Sequence, residues 1–354
     1  MTYFLYLALG DKKYVKEACY AIASLISTNQ NTDMPYRIAF MVTNPQAIHP
    51  QLAQNELIDI FHISDDIMRD WIGPLGYVYR VKIMAIKMLF ACHPDSNIIF
   101  IDTDTVILKD LSPLMRHVDN GGFLMYSQCQ DITKVIQMTE HVEKSQISKH
   151  TYLRIQTYKK VLCLDRIGSD DQFYLKPNPL SFYNSGVIGL NHQHCHLLDD
   201  VVKLNDLMVK EFHYGAEEEM AFSWIFQLHG PIAICDDAYV YHYVENKKSR
   251  LVIGYYFNML YDGDAENLQK FLDENQIPSI DIFDLKIEDL PTFIHYILSK
   301  KNTAYKELEL VSILDSTTYL NTDSAFYRKI MSPATWKNYM KKETLYLKNV
   351  RRRV

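Results

Sequence analysis

Two carboxylates one residue apart, Asp102 and Asp104, close the apolar run Ile98-Ile-Phe-Ile. On extended backbone the side chains at i and i+2 point the same way, so this pair aims at one spot. Side by side the two charges repel, and a cation held between them relieves the repulsion. Hard oxygen donors of this kind suit Mg²⁺ or Mn²⁺. The bland alternative is a solvated turn, which an apolar run with no other polar residue argues against. Upstream, Arg80 offers a planar fork and Lys82 a point charge, both suited to phosphate. Arg80 could equally pair with an acid of the sheet. Asn184-Ser185-Gly186 supplies an amide, a hydroxyl and a glycine that lets backbone approach a ligand; an ordinary entry into a strand is the alternative. Glu217-Glu218-Glu219 stand at a helix start, where the macrodipole alone favours acids.

The elements that must position these residues read as an α/β fold. Residues 2–9, 36–43, 57–63 and 97–101 have strand character, and 12–29 and 79–91 carry apolar stripes at helical spacing. A strand–helix–strand opening argues for a parallel sheet covered by helices. Ligands of open α/β sheets bind at the carboxyl ends of the strands, which is where Asp102 falls. Residues 46–55 read as a short helix and Trp71–Tyr77 as a loop. Strands are expected over 123–127 and 186–190, helices over 196–211 and 216–228, and a last strand with its exit loop over 231–243. The stretch 131–176 is polar and mixed and yields no assignment; Asp170-Asp171-Gln172 within it reads as loop. From about 246 the alternation stops. The expected division is an α/β domain over 1–245 and a mainly helical extension over 246–354 with a basic tail.

Composition bounds the rest. The chain has 354 residues, 48% hydrophobic and 23% charged, which excludes collagen-like, low-complexity and wholly disordered classes. Net charge is −6, unevenly spread: residues 300–354 hold twelve Lys/Arg against five Asp/Glu, leaving −13 on the remainder. An acidic body is a poor partner for nucleic acid. The six cysteines, at 19, 92, 129, 163, 195 and 235, form no CxxC pair. They predict a reducing, cytoplasmic setting with free thiols. Met1–Asp11 reads as a first strand and not as a secretion signal, and no apolar run is long enough to span a bilayer. His192-Gln-His194-Cys195-His196 suggests zinc, but no second ligand pair follows at finger spacing.

Four landmarks occur in order. Tyr79-Arg80-x-Lys82 leads through an apolar helix and strand into Asp102-Thr103-Asp104 and Leu108-Lys-Asp-Leu-Ser-Pro-Leu114. Then come Tyr183-Asn-Ser-Gly-Val-Ile-Gly-Leu190, Glu217-Glu-Glu-Met-Ala-Phe-Ser223, and Tyr241-His242-Tyr243 with Lys247 and Lys248. Over residues 1–250 this series resembles the GT-A-fold nucleotide-sugar glycosyltransferases, family 8-like members in particular, with Asp102-Thr-Asp104 as their DxD motif. The resemblance implies a GT-A, Rossmann-like domain: a mixed, mainly parallel sheet flanked by helices. It implies Mn²⁺ or Mg²⁺ held by Asp102, Asp104 and His242. It assigns donor binding to Arg80, Lys82, Asp102, Thr103, Asn184, Ser185, Gly186, Lys247 and Lys248. The donor would be a UDP-sugar and the acceptor a glycan or a lipid-linked molecule. Expulsion of a nucleoside diphosphate explains the metal, which neutralises charge on the leaving group. Glu218 or Glu219 is expected to touch the sugar or acceptor as a catalytic residue, with its role left open. Family members often carry an acid followed by Gln there, so Glu219 departs from the pattern and leaves retention against inversion open.

Two other classes compete. Asp102-Thr-Asp104-Thr105 fits the opening motif of haloacid-dehalogenase-like phosphatases, with Asp102 as nucleophile and Asp104 as acid–base; Ser127 and Cys235-Asp236-Asp237 mimic their later motifs. That motif normally ends a first strand, whereas a strand–helix–strand unit and a further helix precede it here. A non-catalytic sugar-nucleotide-binding protein is the other class. The tail, Trp336 to Arg353, mixes rings with cations and predicts contact with an anionic membrane surface, on the inner face if the protein is cytoplasmic.

Overall fold

The structure, a computed structural model, describes residues 1–139, 149–169, 172–212 and 215–242. The predicted extension 246–354, its tail and the boundary at 245 lie outside the described residues, as do Lys247 and Lys248. In chain order the elements are β1 (Thr2–Ala8), α1 (Lys12–Thr28), β2 (Tyr36–Val42), a 3₁₀ turn (Pro45–Ala47), α2 (Pro50–Ala53), β3 (Ile58–His62), α3 (Asp65–Ile72), α4 (Arg80–Cys92), β4 (Asn97–Ile101) and β5 (Thr105–Ile107). There follow α5 (Ser112–Asp119), β6 (Phe123–Asp131), α6 (Ile132–Thr139), α7 (Lys149–Leu162), β7 (Arg166–Ser169), β8 (Gln172–Leu175), β9 (Ser181–Leu190), a 3₁₀ turn (His192–His194), α8 (Leu197–Glu211), α9 (Glu217–His229), β10 (Ile232–Cys235) and β11 (Val240–His242). This is a mixed, mainly parallel sheet flanked by helices, as the sequence predicts. Two compact units, interleaved along the chain, make it up.

The first unit holds Met1–Ser64, Ile99–Arg116 and residues 235–242. Its strands run in the order β4-β1-β2-β3, with β1 parallel to β2 from Thr2↔Tyr36 to Ala8↔Val42 and β2 parallel to β3. Strands covered on both faces need continuous apolar runs, and β1 has one: Tyr3, Phe4, Leu5 and Tyr6 are all buried. Asp11 caps α1, its carboxylate accepting from the Lys13 N–H at 3.0 Å. The stripe Val15, Ala18, Cys19, Ile22 and Leu25 is buried as its spacing requires. A separate ribbon, β5 antiparallel to β11, lies against α1. The Ser24 hydroxyl accepts the Ile107 N–H at 2.9 Å, and Asn29 Oδ1 accepts the Leu111 N–H at 2.9 Å. The first bond gives the end of β5 a partner from α1, and the second ties the residue capping α1 to the chain just beyond β5.

The second unit holds Asp65–Ile98 and the described part of His117–Ile234. Its strands run β10-β6-β9, with β6 and β9 antiparallel. Helices α8 and α9 pack on each other, α9 on β9, and α4 on α3 and α8. Trp224 is fully buried, and its indole N–H donates to the Leu175 carbonyl at 2.7 Å.

Several expectations change. The stretch left unassigned, 131–176, contains α6, α7 and the β7–β8 pair. Residues 65–72 form a helix whose Met68, Trp71 and Ile72 are buried, so the loop begins after Ile72. The expected helix over 46–55 is a 3₁₀ turn followed by one turn of α-helix, because Pro45 and Pro50 each start a segment. The strand expected at 186 begins at Ser181, so Asn184-Ser185-Gly186 lies inside it.

Candidate functional site

Asp102 and Asp104 lie where β4 ends and β5 begins. The Thr105 hydroxyl donates to the Asp102 carbonyl at 2.8 Å and holds the turn. Thr103 between them is buried. Pairing of β5 with β11 sets His242 directly opposite Thr105, next to Asp104. His242 Nε2 stands 3.1 Å from Asp104 Oδ1 and 3.8 Å from Asp102 Oδ2. Side-chain exposure is 2% for His242, 9% for Asp104 and 25% for Asp102, so the cluster is sunk in the unit and opens on the Asp102 side. One donor atom from each residue lies within 4.8 Å of the others. Two carboxylate oxygens and an imidazole nitrogen so close fit a divalent cation, which would bind all three and offset the paired negative charge. Among the described residues no other group of three such side chains comes together. The zinc reading of His192–His196 finds no such cluster.

The remaining predicted residues, within the described chain, lie in the second unit, where all but Arg80 are joined by hydrogen bonds. Along α9, residues Glu219, Ser223 and Gln227 recur every fourth position and so face one way; all three bond to β9. Glu219 Oε1 accepts the Asn184 amide at 2.8 Å and the Ser185 N–H at 3.4 Å. The Ser223 hydroxyl accepts the Tyr183 N–H at 2.9 Å, and Gln227 exchanges bonds with Ser181 in both directions. Opposite, β6 pairs Met125 with Ile188 and then Tyr126 with Asn184, so Ser185, Gly186 and Val187 bulge. The Gly186 N–H folds back on Asn184 Oδ1 at 2.8 Å.

A buried polar chain supports the bulge. Lys82 Nζ donates to the Ser185 hydroxyl at 2.9 Å and to its carbonyl at 3.1 Å. That hydroxyl donates to Glu218 Oε1 at 3.1 Å. Glu218 Oε2 accepts the Tyr77 hydroxyl, and the Glu218 N–H donates to the same phenol oxygen at 3.3 Å. Tyr77, Lys82, Ser185 and Glu218 are all under 10% exposed. Burial raises the Glu218 pKa above the ordinary carboxylate value, against the pull of the Lys82 ammonium and the Tyr77 hydrogen bond. Burial, with Glu218 and Glu217 nearby, pushes the Tyr77 phenol well above its usual value.

Arg80 takes the internal partner its chemistry allows. Its Nε donates to Asp206 Oδ1 at 3.0 Å and its Nη1 to the Trp71 carbonyl at 2.8 Å. Lys82 is likewise engaged by Ser185. Tyr77 and Asp206 were not marked by the sequence; Tyr77 sits in a stretch whose Gly and Pro signal only a loop.

No protein-family model matches the chain, and no curated protein matches it. Solved structures do. One is a galactosyltransferase, LgtC, in complex with donor and acceptor sugar analogues: 11% identical, covering 67% of this chain and 74% of that one, TM-score 0.38. Another is mouse xyloside xylosyltransferase 1 in its apo form: 14% identical, 67% and 86% covered, TM-score 0.43. A third is the bifunctional glycosyltransferase WbbM, 13% identical, for which the shares are 66% and 38% and the TM-score 0.39.

Proposed function

We propose that the chain is a metal-dependent glycosyltransferase that moves a sugar from a nucleotide-diphosphate sugar, UDP-linked, to a glycan or lipid-linked acceptor. What supports it is the convergence of Asp102, Asp104 and His242, drawn from residues 138 positions apart onto one spot by the β5–β11 register. Such a donor set suits Mn²⁺ better than Mg²⁺, which favours oxygen alone. A cation bound there supplies neutralisation of the charge that develops on a departing diphosphate. The protein's own part is to hold two carboxylates and an imidazole in place before substrate arrives, so little reorganisation is needed at reaction. In the second unit, β9 carries the Asn184 amide and α9 the Glu219 carboxylate bonded to it, groups able to bind sugar hydroxyls. The four-residue chain beneath fixes their backbone.

A donor-hydrolysis panel tests this. Purified protein is mixed with UDP-, GDP- and CMP-sugars, with and without Mn²⁺, and with p-nitrophenyl phosphate. Slow Mn²⁺-dependent release of one nucleotide is expected. Turnover of p-nitrophenyl phosphate without preference among sugar nucleotides would make Asp102 a nucleophile and overturn the reading.

On the same reading the basic, aromatic segment 336–353 holds a cytoplasmic enzyme on the anionic inner membrane face, where lipid-linked acceptors are built. Among the described residues no helix is long and apolar enough to cross a membrane. Full-length protein is expected to sediment with phosphatidylglycerol-containing vesicles more strongly than residues 1–330. Equal binding removes the tail from the account.

A further inference from the structure

We propose that Tyr77 is a positioning residue for the Ser185–Val187 bulge that follows Asn184, acting through Glu218, Ser185 and Lys82. The proposal rests on the reading of that bulge as a contact for the donor sugar. Glu218 itself is 3% exposed, and both its carboxylate oxygens are engaged, one by Tyr77 and one by Ser185. A group so enclosed acts through its neighbours. Glu219, on α9, is half-buried and is the acid bonded to Asn184 of β9.

The phenol of Tyr77 grips Glu218 at two points, donating to the carboxylate and accepting the backbone N–H. The second bond has its own logic. Glu218 lies in the first turn of α9, where backbone N–H groups have no partner within the helix. Ala216 at the cap offers no side-chain oxygen. Tyr77, 141 residues away, reaches in to serve as the acceptor. Its hydroxyl therefore fixes the start of α9, the aim of the Glu218 carboxylate and, through the Ser185 hydroxyl, the Lys82 ammonium. Lys82 in turn holds the carbonyl of Ser185, the first residue of the bulge. Loop, α4, β9 and α9 are tied by one chain of bonds that ends at the Tyr77 phenol.

The charged and titratable groups facing Glu218 are Tyr77 from the loop, Lys82 from α4 and Glu217 from its own helix. Removing the phenol hydroxyl takes away a bond that favours the ionised carboxylate, so the Glu218 pKa must rise. A hydrogen bond to a charged group contributes about 1.5–3 kcal/mol, equivalent to a rise of about one to two pH units.

Tyr77→Phe keeps the ring and tests this in two readouts. In ¹³C NMR the Glu218 carboxyl is expected to titrate at least about one unit higher than in the wild type. The acid limb of Mn²⁺-dependent UDP-sugar hydrolysis is expected to move up by a similar amount, with kcat falling on the order of tenfold near the limb. Ser185→Ala, which frees the other carboxylate oxygen, is expected to raise the same pKa and serves if Tyr77→Phe does not fold. An unmoved Glu218 titration overturns the proposal, as does a lower melting temperature with an unmoved limb. Wild-type protein that hydrolyses no sugar nucleotide sinks the transferase reading instead, and the NMR titration then still reports separately on the bond between Tyr77 and Glu218.

Discussion

Asp104→Asn is expected to reduce turnover at least about a hundredfold, the scale set by removing one group that stabilises transition-state charge. The change is isosteric, and His242 can still donate to the new amide oxygen, so the β5–β11 register should persist. Two effects then separate. Circular dichroism and the thermal midpoint should stay close to wild type, while Mn²⁺ binding, followed by electron paramagnetic resonance, should weaken strongly. Asp102→Asn is expected to cost less, because Asp102 is the more exposed of the two and stands farther from His242. Near-wild-type rates in Asp104→Asn would strip the cluster of its assigned role.

Lys82→Met should be the most destabilising single change in the second unit. It removes the ammonium and leaves Glu218 buried without its countercharge. Losing one partner of a buried ionic arrangement costs about 3–5 kcal/mol. The cost must depend on pH. Lys82 lowers the Glu218 pKa, so in the variant that pKa rises further above its unfolded value. A carboxyl that binds its proton more tightly when folded favours the folded state in acid and disfavours it as pH climbs through the folded pKa. Urea midpoints of wild type and variant should therefore draw together near pH 5 and separate toward pH 8. Adding Glu218→Gln should recover part of the loss, since no buried charge then remains. A Lys82→Met protein within about 1 kcal/mol of wild type at pH 8 would mean that water reaches Glu218 after all.

The Asp102–Asp104 pair was legible because its signal is local. An apolar run that closes on two acids suffices to mark the two carboxylates, although the structure holds them in the turn between β4 and β5 and not on one strand, and the β1–α1–β2 opening follows from spacing of the same range. His242 is different. Nothing near it in sequence shows that three residues of β11 will pair with three of β5, so only the likeness to a known family pointed to it. The bulge in β9 explains another miss: Tyr183-Asn-Ser-Gly has the composition of a turn, and the strand absorbs it by bulging at Ser185, Gly186 and Val187, which take no partner in β6. Helix α3 was hidden by its polar stretch Asp65-Asp66, although acids are favoured in a first turn. Arg80 and Lys82 stand out in the sequence as unusual charges. Their partners, Asp206 and Ser185, lie over a hundred residues away, beyond the reach of periodicity.

The register that sets His242 opposite Thr105 also sets a clock. During synthesis Asp102 and Asp104 emerge early, but their third partner follows Asp104 by 138 residues. At about 5–20 residues per second that interval is roughly 7–28 s. Throughout it the nascent chain carries two bare carboxylates that bind a cation only loosely. Tight loading must wait until β11 has left the ribosome and zipped onto β5. On the proposed reading, metal capture by this site would be coupled to the completion of a long-range strand pair, and would mark the moment at which that part of the chain has reached its folded form.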